Sequence, residues 1–157
     1  MISPEVLRRY PFFSFLNEAQ LQALAMLGEE VTYPPETVVF ESGQAANALY
    51  LSLEGTFSYY FVVVSEHDPY YRKEYYLCDI NPGEIFGISA LVEPYIYTAT
   101  MRAEKLSRAL RFDAVALRAL CAVDVHLSCA FMRALARVAM ERLQMTRTQL
   151  IAARQGG

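Results

Sequence analysis

Hydrophobic and polar residues change rhythm twice along this chain. Up to residue 28 the apolar positions fall at helical spacing, with Leu21, Leu24, Ala25 and Leu27 on one face. Asn17-Glu18-Ala19-Gln20 supplies the N-cap residue and the Gln three positions later of a capping box, and Gly28 ends the helix. Ahead of it, Ser3-Pro4 is a helix start that Pro11 closes after little more than one turn. From 29 to 112 the rhythm is that of strands. Val31-Thr32-Tyr33, 37–40, 49–53, 56–64, 72–80, Ile85-Phe86, 95–101 and 106–112 are short β-branched or aromatic runs separated by Pro, Gly, Asn or Asp. Eight strands at this spacing predict an antiparallel sandwich or barrel. Leu49, Leu51 and Leu53 alternate with Tyr50, Ser52 and Glu54, which commits one face of that strand to a core. Residues 65–71 read as a long polar hairpin tip, with His67 as a solvated loop residue. After Phe112 the spacing is helical again: Asp113 caps 114–121, and Asp124 caps a helix running to about Ala153 without an internal Gly or Pro. The expected organisation is a single domain with an N-terminal helical segment (1–28), a β-rich body (29–112) and C-terminal helices (113–157).

Within the body, residues 81–101 carry the densest local instructions. Asn81-Pro82-Gly83 is a turn, Glu84-Ile85-Phe86 a brief buried strand, and Gly87 frees the backbone for a change of direction into one turn of helix over Ser89–Val92. Pro94 stops that turn, and Tyr95–Met101 reads as a new strand. Such a cradle aims backbone N–H groups into a concavity that favours anions. On the last helix, Met132, Leu135, Ala139, Leu143, Thr146 and Leu150 form an apolar seam. Packing within one copy accounts for it up to about Val138, and beyond that it is expected to meet a second copy.

Composition narrows the function. Of 157 residues, 54% are hydrophobic and 20% charged, so the chain has enough apolar surface for a core. No apolar run approaches the roughly 18 residues needed to cross a bilayer, and the N-terminus lacks a signal peptide's apolar region, which predicts a cytoplasmic protein with no membrane association. Three cysteines, Cys78, Cys121 and Cys129, sit in apolar patterns and read as buried reduced thiols. The net charge of −3 conceals an imbalance: residues 1–125 carry nine basic and sixteen acidic side chains, whereas 126–157 carry five arginines against Glu141. A globally acidic chain is poorly suited to nonspecific nucleic-acid binding. With only His67 and His126, and no paired Cys spacing, the ligand set of a metal-binding cupin barrel is missing. No nucleophile–base motif or P-loop is present, so no enzyme, metal or cofactor is expected.

The order Phe86-Gly87-Ile88-Ser89-Ala90-Leu91, followed by Tyr97-Thr98-Ala99, resembles the phosphate-binding cassette of the cyclic nucleotide-binding domain family. That cassette runs Phe-Gly-Glu, a variable residue, Ala-Leu, and later Arg with small residues. Ile88 stands where the family has the glutamate that takes the ribose 2′-hydroxyl, and Tyr97 where it has the arginine that pairs with the cyclic phosphate. Glu41-Ser42-Gly43-Gln44 and the strand from Leu49 to Gly55 match the family's glycine-turn pattern, with Gly83 and Gly87 as the later pair, so the resemblance spans nearly the whole chain. It implies a mainly β fold with flanking helices: an antiparallel eight-stranded β-roll of the double-stranded β-helix or jelly-roll type, with N-terminal helices and a long C-terminal helix. It also implies a ligand site at Phe86, Gly87, Ile88, Ser89, Ala90, Tyr97 and Thr98, open to a nucleotide-like or other small-molecule effector.

The expected function is a standalone cyclic nucleotide-binding-like sensor or regulatory domain that does not hold cAMP or cGMP tightly. It is expected to be a homodimer through Met132, Leu135, Ala139, Leu143 and Leu150, and to act on a regulated protein partner. In transcription regulators of the catabolite activator type a helix-turn-helix follows the long helix. The given chain ends at Gly157, so direct nucleic-acid binding is not expected. Two alternatives remain: a ligand-free interaction or dimerisation module, and an effector domain cut from a transcription regulator. Tyr97 either lines an open pocket or plugs it.

Overall fold

The computed structural model describes residues 1–156, so that Gly157, at the end of the expected C-terminal segment, lies outside the described residues. Helices α1 (Pro4–Arg8) and α2 (Glu18–Leu27) precede eight strands: β1 (Gly28–Tyr33), β2 (Thr37–Phe40), β3 (Ala48–Glu54), β4 (Phe57–Val64), β5 (Arg72–Ile80), β6 (Ile85–Phe86), β7 (Thr100–Ala103) and β8 (Ser107–Asp113). Helices α3 (Ala114–Val123) and α4 (Val125–Gln155) close the chain. Two four-stranded antiparallel sheets, ordered β1-β8-β3-β6 and β2-β7-β4-β5, face each other as an eight-stranded β-roll.

The helix ends form as the local sequence dictates. Asn17 Oδ1 accepts from Gln20 N at 2.9 Å while Gln20 Oε1 accepts from Asn17 N at 3.0 Å, a complete capping box. Asp113 accepts from Ala116 N and Asp124 from Leu127 N, each at 2.9 Å. Each cap satisfies an amide that has no partner inside its helix.

β3 departs from the simple alternation. Both of its faces are buried, because Leu49 is paired with Phe112 on the side where the N-terminal helices pack, and Phe112 meets Phe13 edge-on at 6.0 Å. The other face turns Tyr50 into the roll, stacked on Phe86 at 4.9 Å. Tyr33, Phe40, Phe57 and Tyr97 complete this aromatic interior. An antiparallel strand reads as alternating only when one side faces water. β3 is covered on both sides.

Two further expectations are corrected. The strand placed at 95–101 begins only at Thr100. Residues 95–97 instead bond to the irregular turn before β3, through Ala46 N to Tyr95 O (2.8 Å), Tyr97 N to Gln44 O (3.0 Å) and Gly43 N to Tyr97 O (2.8 Å). With Tyr95 at φ 60° the segment cannot hold a regular ladder despite its strand-forming residues. Cys129 is exposed, on the side of α4 opposite the buried Leu127, Phe131, Ala134 and Leu135, and Cys78 and Cys121 are only half-buried.

α4 has 31 residues, so it runs about 46 Å at about 1.5 Å per residue. Leu127, Phe131, Ala134 and Leu135 are buried and Val138 is partly so, a stripe at three-and-four spacing laid on the body. Leu135, expected at a dimer contact, belongs to this inner stripe at 3% exposure. Met132, Ala139, Leu143 and Leu150 are exposed. The helix also stays on the roll beyond Val138, since Gln149 Nε2 donates to Leu77 O at 2.6 Å.

Candidate functional site

The cassette is built on β6 and the 3-10 turn Ile88–Leu91 that follows it. Gly87 makes the corner at φ 75°, and a Cβ there would stand 3.1 Å from Ala48 O and 3.2 Å from the Tyr50 ring. Both the left-handed backbone and the close approach call for glycine. The cradle is tighter than an anion site, however. Gly87 N donates to Tyr59 Oη at 3.3 Å, and Ala90 N turns back to Gly87 O at 3.1 Å.

Of the residues expected at the site, Gly87, Ile88, Ser89, Tyr97 and Thr98 line one cavity of about 190 Å³. Phe86 and Ala90 do not reach it; both are fully buried beneath the turn. Tyr97 lies across the site. It is 4% exposed, stacked on Phe40 at 3.7 Å with planes 10° apart, and its hydroxyl donates to Ala48 O at 2.6 Å while accepting from Ala48 N at 3.2 Å. Burial pushes its phenol up to about 12.

The rest of the wall was not signalled by the cassette motif. Phe40, Tyr59 and Cys78 come from the sheets, and Arg142, Met145 and Gln149 from α4. Arg142 donates to Ile85 O and, at 3.4 Å, to Tyr59 Oη, with its guanidinium 5.2 Å from the Tyr59 ring centroid. Burial raises the Tyr59 phenol, and Arg142 pulls in the opposite direction. Burial likewise raises the Cys78 thiol. From α3, Arg118 donates to Ala90 O at 2.8 Å and Ala46 O at 3.0 Å and lies 3.8 Å over the Tyr95 ring. Arg118 thus holds the turn at Ala90 O and Arg142 holds the preceding strand at Ile85 O, one arginine from each C-terminal helix. The surplus of arginine over 126–157 was the only sequence signal for Arg142, and Arg118, in the acidic part of the chain, had none.

Among the described residues no group of three or more His, Cys, Asp or Glu could hold a metal ion. No described helix is long and apolar enough to cross a membrane.

A roll of two four-stranded sheets, a glycine-cornered cassette and a long helix packed across it define a regulatory domain type. The cyclic nucleotide-binding domain model matches residues 30–124, and the chain belongs to that family. Among solved structures it is similar to a candidate cyclic nucleotide-binding protein from Geobacter metallireducens GS-15, with 34% identity over 91% of this chain and 99% of that one and a TM-score of 0.79. It is also similar to the N-terminal domain of a transcriptional regulator from Streptomyces coelicolor A3(2), with 28% identity over 87% of this chain and 93% of that one and a TM-score of 0.65. The sensor domain of the transcriptional regulator DNR from Pseudomonas aeruginosa shares the fold at 23% identity, covering 86% and 91% of the two chains with a TM-score of 0.67. No match was found among curated proteins.

Proposed function

We propose that this domain is a regulatory sensor-type member of the family whose cassette does not hold cAMP or cGMP tightly and whose output passes through α4. The observation that carries this reading is the buried Tyr97 ring, stacked on Phe40 and bonded to Ala48 at the position where the family's arginine takes the phosphate. Ile88 removes the other polar contact. A charge-assisted hydrogen bond is worth roughly 1.5–3 kcal/mol, so losing two removes on the order of 3–6 kcal/mol, or about 10²–10⁴ in affinity. The remaining space of about 190 Å³ is also smaller than the roughly 300–1,000 Å³ of ordinary ligand pockets.

Arg142 supports the choice of α4 as output, because the same guanidinium that closes the site fixes that helix against Ile85 and Tyr59. The exposed stripe of Met132, Ala139, Leu143 and Leu150 on α4 supports a homodimer, and the same surface is where a regulated protein would engage the domain. Isothermal calorimetry with cAMP and cGMP tests the reading. No binding is expected at micromolar ligand, and a micromolar dissociation constant for either nucleotide would overturn it.

A further inference from the structure

A second and larger cavity lies on the other side of Arg142. About 530 Å³ in volume, it runs between Phe12 and Phe15 ahead of α2, the turn from Ile80 to Ile85, and the flank of α4 that carries Arg133, Arg137 and Val138. At roughly 30 Å³ for each water-sized group, this is space for about eighteen non-hydrogen atoms. We propose that this groove is a binding site, separate from the cassette, for a compact organic monocarboxylate with an apolar body.

The two halves of such a ligand match the two halves of the lining. Phe12 and Phe15 stand edge to face at 5.9 Å, and with Ile85, Ala134 and Val138 they form an apolar floor. Arg133 and Arg137, one turn apart on α4, present guanidinium groups on the same side. Neither makes an ion pair or side-chain hydrogen bond among the described residues, whereas Arg8, Arg72, Arg102, Arg108 and Arg111 all have carboxylate partners. The acidic groups of the groove are placed differently. Asp79 accepts from Ser58 Oγ at 2.6 Å and Glu84 from Asn81 Nδ2 at 3.2 Å, while Glu141 follows Arg137 one turn further along the same flank of α4, two turns from Arg133. Arg142 is itself taken by Ile85 O and Tyr59 Oη. The cationic hydrogen-bonding capacity left free is that of Arg133 and Arg137, and a planar carboxylate fits a guanidinium fork.

The experiment compares 1-naphthylacetate with 2-(1-naphthyl)ethanol and 1-naphthylmethylamine as neutral and cationic counterparts, by calorimetry and by amide chemical-shift mapping. The carboxylate is expected to bind with shifts centred on Phe12, Phe15, Ile85 and Val138. The alcohol should bind roughly ten- to a hundredfold more weakly, as loss of a charge-assisted contact implies. The double substitution Arg133→Gln/Arg137→Gln, at two exposed positions where folding is not at stake, should weaken the carboxylate by a similar factor and leave the alcohol unchanged. The proposal is overturned by no binding at millimolar carboxylate, by equal or tighter binding of the amine, by an unchanged affinity in the double variant, or by shifts that map to Ile88 and Tyr97. Nucleotide binding at the cassette is measured separately, so either reading can fail without the other.

Discussion

Truncating Tyr97 to alanine removes a ring that is 4% exposed, its stacking on Phe40, and a hydroxyl that both donates to and accepts from Ala48. If the ring is part of the roll's interior, the void it leaves has rigid walls, because Phe40, β3 and the Gly87 corner are each fixed by other contacts. Large aromatic truncations of this kind cost roughly 3–5 kcal/mol. For a domain of this size each kcal/mol shifts Tm by about 2–4 °C, so a fall of roughly 6–20 °C is expected. Tyr97→Phe keeps the ring and loses only the hydroxyl, at roughly 0.5–1.5 kcal/mol. Urea denaturation followed by circular dichroism separates the two, with an unchanged m-value showing that stability alone has moved. Because an apolar cavity of this shape accepts its missing contents, p-cresol should raise the Tm of the alanine variant and leave the parent unaffected. A cost below about 1 kcal/mol for Tyr97→Ala would mean that the ring rests on a yielding surface, and the argument from an occupied cassette would fall.

Other outcomes follow from the same contacts. Leu143→Glu with Leu150→Glu should convert a dimer to a monomer in light scattering, since like charges would be brought together across a two-fold contact, and a monomeric parent would refute the interface. Gly55 and Gly43 share φ 89°, but a Cβ at Gly55 would stand 2.7 Å from Leu106 O while one at Gly43 meets nothing. Gly55→Ala should therefore cost clearly more than the roughly 1–3 kcal/mol of strain expected for Gly43→Ala, and equal costs by urea denaturation would refute the close approach. Tyr97 is an acid held neutral by the fold, so its contribution is intact below pH 10 and is lost as pH rises to about 12. Stability measured across that interval should fall less steeply in Tyr97→Phe than in the parent, and identical slopes would count against the burial.

What was legible in the sequence was local. Asn17 finds Gln20 three residues away, Asp113 finds Ala116, and Gly87 needs only its own backbone angle. Those features are set by chemistry within one turn, and composition reports it directly. The strand count was legible because turn residues punctuate it. The filling of the site was not: Phe40 and Tyr97 are 57 residues apart, and Arg142 reaches Ile85 and Tyr59 across separations of 57 and 83. Such contacts depend on how two sheets and a helix dock, which no short motif encodes. Residues 95–99 show the reverse failure. Their aromatic and β-branched side chains suit a strand, yet the backbone they meet is a turn at 43–46, and tertiary pairing decided the conformation.

The arginines of α4 do not all play one part. Arg142 turns into the roll, where Ile85 O and the Tyr59 hydroxyl take its donors, and Arg133 and Arg137 border the groove beside Phe12 and Phe15. The exposed apolar stripe through Met132, Ala139 and Leu143 runs along a third side. Arg142, Cys78 and Met145 line both cavities, so the two spaces share a wall that belongs largely to α4. A displacement of that helix that parts Arg142 from Ile85 and Tyr59 would change the walls of both spaces together. By linkage, an occupant of either cavity that prefers one position of α4 must bias the same helix that a second copy or a protein partner would grip, and be biased by it to the same extent.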